Sequence, residues 1–148
     1  METMEETEGL QSMAWELTKE LVKIDSSDPG AYEGEIGRFV YEWLKRESGR
    51  AGVEVVEVAE ADGAQEVEAK AAGALAAGIQ PSGPNARPGR VVLSRREALP
   101  GRFNVMARLE GKTPGPALAF ICHMDTVMLG ADWDADLPPL GAVERDGQ

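Results

Sequence analysis

The chain has 148 residues, 43% of them apolar, and a formal net charge of −11; that length suits one domain with a single core. The acidic balance excludes a nucleic-acid binder, because phosphate recognition needs a concentrated basic surface. The longest apolar run is far short of the roughly 20 residues that span a bilayer, and the start, Met1-Glu2-Thr3-Met4-Glu5-Glu6, is acidic where a signal peptide is basic, so the expectation is a cytoplasmic chain that engages neither nucleic acid nor membrane.

In chain order, Leu10, Met13, Ala14, Leu17 and Leu21 follow the i, i+3, i+4, i+7 spacing of an amphipathic helix that covers one face of a sheet. Asp25-Ser26-Ser27-Asp28-Pro29-Gly30 supplies turn residues and a proline that disfavours helix before it, so this helix ends near Ile24. A second helix begins soon after, with Ile36, Phe39, Val40, Trp43 and Leu44 as its apolar stripe and Ser48-Gly49-Arg50 as its stop. Val53 to Val58 is short and rich in β-branched residues, which predicts a strand.

Residues 59–90 change character, with Ala, Glu and Gly first and a crowd of Pro and Gly after Gln80. They read as a flexible insertion; Glu66 to Ala77 is equally compatible with an alanine-rich helix and with a loop. Val91-Val92-Leu93 is a candidate short strand, and Phe103, Val105, Ala107 and Leu109 alternate as a strand with one inward face does. The arginines between Arg87 and Arg96 are interrupted by Pro88, Gly89 and an apolar trio, which makes them a solvated stretch rather than an anion site.

Beyond the turn at 111–116, six small or apolar residues, Ala117 to Cys122, deliver the only histidine of the chain, followed by Met124, Asp125, Thr126 and Val127. Such a run predicts a strand buried on both faces, whose carboxyl end opens into a ligand crevice. In an extended chain positions i and i+2 share a side, so Asp125 is placed to hold the His123 ring or to share its metal. Spacing alone favours the plainer reading of His123 as an ordinary hydrogen-bonded polar residue, since His-x-Asp is a short pattern. Cys122 reads as a small core residue, and a lone cysteine forms no internal disulfide. Trp133 reads as a hydrophobic anchor, while Asp132, Asp134 and Asp136 lack the spacing of a calcium loop.

With its context, this stretch resembles the zinc-dependent family of acetylornithine deacetylases, succinyl-diaminopimelate desuccinylases and related carboxypeptidases and dipeptidases. The match centres on His123-Met124-Asp125-Thr126-Val127 and continues through Gly130, Trp133, Asp136 to Leu140 and Asp146-Gly147. Upstream, Gly101 to Gly111 is similar to the strand that family members place before the metal-binding strand, and both helices fit.

The resemblance implies an α/β fold, a partial zinc-exopeptidase-like catalytic domain with helices packed on a mixed, mostly parallel sheet and His123 at the carboxyl end of a central strand. It implies His123 as a metal ligand and Asp125 as the catalytic residue that orients it, with two zinc ions, or cobalt, in the complete site. The family reaction is hydrolysis of an amide in an N-acyl amino acid or small peptide by a metal-activated water.

In the family, a metal-bridging aspartate, a glutamate general base, further ligands and a dimerisation domain follow the point reached here by Gln148. The expectation is therefore that residues 1–148 are the amino-terminal part of a catalytic domain whose full-length parent is a homodimer, and that they are inactive alone. Two alternatives stand beside it, a non-catalytic binding module derived from that domain and a mononuclear enzyme built on His123 with loop carboxylates.

Overall fold

The computed structural model describes residues 4–58, 89–111 and 116–145. The insertion expected at 59–90 lies almost wholly outside the described residues. The chain divides into two compact units, Met1–Ile36 with Met124–Gln148, and Gly37–His123. In chain order the elements are α1 (Met4–Val22), α2 (Gly34–Arg50), β1 (Glu54–Val58), β2 (Arg90–Leu99) and β3 (Arg102–Leu109).

α1 ends at Val22, close to the expected stop at Ile24. Its apolar stripe is only partly sheltered: Leu17 and Leu21 are half-buried, whereas Leu10, Met13 and Ala14 are exposed. α2 follows the expected stripe more closely, with Ile36 buried and Phe39, Val40, Trp43 and Leu44 half-buried. It ends at Arg50, within the expected stop Ser48-Gly49-Arg50. The Val53 amide donates to the Ser48 carbonyl and the Gly52 amide to the Gly49 carbonyl, at 3.0 and 3.1 Å. Gly52 takes a φ of 69°, so it supplies the left-handed residue that such paired closing bonds require.

The sheet has the order β1-β2-β3. β1 runs parallel to β2, with Val55 opposite Val91 and Glu57 opposite Leu93. β2 runs antiparallel to β3, with Leu93 opposite Ala107 and Arg95 opposite Val105. The sheet is thus mixed, with one parallel and one antiparallel pairing, rather than mostly parallel. Sequence marked β2 as only Val91 to Leu93, yet it extends for 10 residues. The added part, Ser94 to Leu99, pairs with β3 up to a register shift at Glu97/Leu99, and the Gly101 amide donates to Glu97 Oε1 at 2.7 Å across the connection. Cross-strand pairing therefore holds a polar, charged stretch that composition alone reads as loop.

Alternate residues share a face, so Val55 and Glu57 lie on the same side of the sheet as Val91 and Leu93. α2 sits over that side, because Tyr41 Oη donates to Glu57 Oε2 at 2.8 Å and Lys45 Nζ lies 2.7 Å from Glu57 Oε1. Leu93, fully buried, and Val91 form the centre of this small core.

At the far end of the sheet the Glu110 carboxylate, 1% exposed, is gripped by both nitrogens of the Arg90 fork at 2.9 and 3.0 Å and by Arg108 at 2.6 Å. The Arg90 pKa is raised, first by its hydrogen bonds to Glu110. A paired, multiply hydrogen-bonded carboxylate is the form in which a buried charge is tolerated.

The expectation that Ala117 to Cys122 forms a buried central strand is overturned. Residues 116–123 belong to no strand, and Leu118, Phe120 and Ile121 are 81%, 84% and 88% exposed. Cys122, expected in a core, is exposed as well. A strand buried on both faces needs ladder partners on its edges and layers on its faces; β1 and β3 form the two edges of the described sheet, and neither pairs with this run. Apolar composition records what a segment would gain from burial and does not supply the partner. Among the described residues no helix is long and apolar enough to cross a membrane.

Candidate functional site

His123 is exposed, with a side chain that solvent and ions can reach, and not at the end of a sheet strand as expected. Met124 and Asp125 are half-buried, and from 116 to 136 they are the two positions that are not exposed. Their shelter coincides with a backbone grip on the next residue. The Thr126 amide donates to the Ser26 carbonyl at 3.1 Å, and the Thr126 carbonyl accepts from the Asp28 amide at 2.9 Å. The two bonds form an isolated parallel bridge between Ser27 and Thr126.

The turn that supplies this grip is itself tightly made. The Ser27 amide donates to Asp25 Oδ1 at 2.9 Å, and that bond, seconded by the Ser27 hydroxyl, holds the Asp25 carboxyl below its ordinary pKa. The Ser27 carbonyl accepts from the Tyr32 amide at 3.1 Å, and Tyr32 takes a φ of 58°, a conformation that costs a bulky residue free energy. Ser26, Ser27 and Glu33 are buried. The Ser26 hydroxyl has no hydrogen-bond partner among the described residues.

Metal chemistry meets these residues in kind but not in number. An imidazole and a nearby carboxylate are zinc donors, yet among the described residues no three His, Cys, Asp or Glu side chains gather where they could hold one ion. The described residues therefore do not build a complete one- or two-metal site. The loop beyond offers no addition. Asp132, Asp134 and Asp136 are exposed, and Asp134 serves a local turn, its carbonyl accepting from the Leu137 amide at 2.9 Å and its Oδ1 from the Asp136 amide at 3.4 Å. Trp133, expected to anchor this loop, is 53% exposed.

Two features were missed by sequence reasoning. The Asp25 to Gly30 segment was legible as a turn, but its bond to Thr126 joins residues about a hundred positions apart and leaves no local pattern. The Glu110 clamp was equally silent, although an acid at the end of a strand flanked by Arg108 is the signal that could have drawn attention to it. Compared with protein-family models, with curated proteins and with solved structures, the chain matches none of them.

Proposed function

We propose that this chain is the amino-terminal part of a zinc-dependent hydrolase that cleaves amide bonds in N-acyl amino acids or small peptides, acting in the cytoplasm as part of a homodimeric parent. In this reading His123 contributes one ligand and Asp125 orients its ring; zinc, or cobalt in its place, supplies the Lewis acidity when a complete site is assembled. The observation that carries the proposal is the ordered motif His123-Met124-Asp125-Thr126-Val127 after an apolar run. The accessible imidazole and the half-buried Asp125 beside a fixed Thr126 are compatible with it.

The donor count favours keeping a second reading, a non-catalytic binding module, because no ligand cluster forms among the described residues. The coding DNA beyond the codon for Gln148 separates the two. A frame that continues into a glycine-rich turn and a metal-bridging aspartate supports the hydrolase, and a stop codon there supports the module. The chain alone, supplied with zinc or cobalt, is expected to hydrolyse no N-acyl amino acid. Turnover that disappears in His123→Ala would overturn the view that it is only part of an enzyme.

A further inference from the structure

We propose that two copies of this chain associate by exchanging the run 117–122, each copy laying its run along the outer edge of β3 in the other. The inference stands apart from the hydrolase reading, since it uses neither His123 nor Asp125.

Both halves of the contact lie on the surface. β3 has β2 on one side and no described strand on the other. Its second half is open: Met106 and Leu109 are 58% and 67% exposed, and Ala107 between them is exposed as well. Such an edge presents a row of backbone amides and carbonyls that a further strand takes up. The run Ala117 to Cys122 offers that strand, six small or apolar residues with neither a charge nor a proline, a composition that pairs readily in sheets. Leu118, Phe120 and Ile121 are almost wholly exposed. One chain therefore carries both halves of a contact that it does not make with itself, and a second copy supplies the missing half in each direction.

The opposite edge of the sheet is guarded. β1 carries Glu54 and Glu57, and Glu57 is held by Tyr41 and Lys45 of α2; charged side chains on an edge strand discourage pairing. Arg102 to Leu109 contains no carboxylate, and its two arginines make it positive. A copy with a net charge of −11 thus meets less repulsion at β3 than at β1.

Because each copy gives its run and receives the other's, the two contacts are related by a two-fold axis and assembly stops at the dimer. Two contacts, each led by Leu, Phe and Ile side chains, bury on the order of 1,000 Å², the lower limit for a specific interface. The dimer is accordingly weak, with a dissociation constant of roughly tens of micromolar. At the low micromolar concentrations of circular dichroism the chain is monomeric and Phe120 stays exposed.

Sedimentation velocity of the full chain tests the exchange, over concentrations from well below to well above that constant. The buffer holds about 0.15 M salt, which limits the reach of the net charge to about 8 Å. A reducing agent keeps the exposed Cys122 from linking copies by a disulfide. A reversible monomer–dimer equilibrium is expected. Phe120→Lys and Leu109→Lys change exposed positions that a monomer tolerates, so their urea midpoints at low concentration should match the unaltered chain. Each is expected to weaken association at least about tenfold, because it sets a charge in an apolar contact. If Leu109→Lys lowers the midpoint, Met106→Lys on the other face of β3 is read in its place. A mixed dimer of the two variants keeps one unaltered contact, the run of the Leu109→Lys chain on β3 of the Phe120→Lys chain. The mixture should therefore associate more tightly than either variant alone. A chain that stays monomeric throughout, variants that associate as tightly as the unaltered chain, a mixture no tighter than its components, or assemblies that grow past the dimer overturn the proposal. Loss in Phe120→Lys alone, with both β3 variants unaffected, places the run on another surface and overturns the exchange at β3.

Discussion

Replacing Phe120 by alanine decides between the burial that composition suggests and the exposure that the structure shows. In a strand covered on both faces, Phe→Ala removes a large apolar side chain and leaves a cavity, a loss of about 3–5 kcal/mol. At 84% exposure there is little burial to lose, and the change should stay within about 0.5 kcal/mol. Leu93→Ala provides the scale. Leu93 is fully buried beside the equally sheltered Val91 in the sheet, in a core with few other fully buried hydrophobics among the described residues. Its truncation should cost about 2–3 kcal/mol, the lower part of the usual Leu→Ala range, because half-buried neighbours can move in. Urea unfolding of the two variants beside the unaltered chain, followed by circular dichroism, gives both values from the midpoints at constant slope. A loss of 2 kcal/mol or more for Phe120→Ala, or of less than 1 kcal/mol for Leu93→Ala, would refute the packing described above.

The remaining predictions concern charge. Glu110→Ala strands the Arg90 and Arg108 guanidiniums beside a buried gap, so it should lower the urea midpoint clearly more than Glu47→Ala, whose exposed partners Arg46 and Arg50 remain solvated; equal shifts would show that the clamp contributes no more than a surface pair. Asp25 has a lowered pKa, first through the Ser27 amide. Its contribution is therefore present above the unfolded value of about 3.9 and is lost as pH falls through the folded value. Exchange protection at Ser27 should weaken below that range in the unaltered chain and should lack this acid step in Asp25→Asn. Tyr41 behaves oppositely: burial first, then its bond to Glu57, pushes it up to about 12. Its contribution is complete below the unfolded value of about 10 and is lost as pH rises through the folded one. Alkaline unfolding should accordingly be steeper in the unaltered chain than in Tyr41→Phe between those values, and identical curves would contradict the assignment.

Much of the fold was legible because it follows from local patterns. The stripe Ile36, Phe39, Val40, Trp43, Leu44 has helical spacing and becomes the sheltered side of α2; the β-branched run before Ala59 becomes β1, and the alternation from Phe103 to Leu109 becomes β3. The errors lie where partners decide. Ser94 to Leu99 has no apolar signature and yet forms strand, because β3 folds back on it. Ala117 to Cys122 has the strongest apolar signature in the chain and forms none, because neither edge of the sheet receives it. The intrinsic preference of a segment for a strand is weak compared with the presence or absence of a neighbour to pair with.

The candidate site shows the same division at the level of single residues. His123 and Asp125 could be picked out because their chemistry resides in side chains that the sequence names. What holds the neighbouring Thr126 could not, because it is made of backbone groups: the Ser26 carbonyl, the Asp28 amide and both polar groups of Thr126. Any non-proline residue carries such groups, so the identities of Ser26 and Asp28 do not announce the contact. The one residue type that does bear on it is Gly30, where an added methyl would strike Ser27. A glycine read only as turn punctuation is, by that contact, the position at which an added side chain would crowd the residue that faces Thr126.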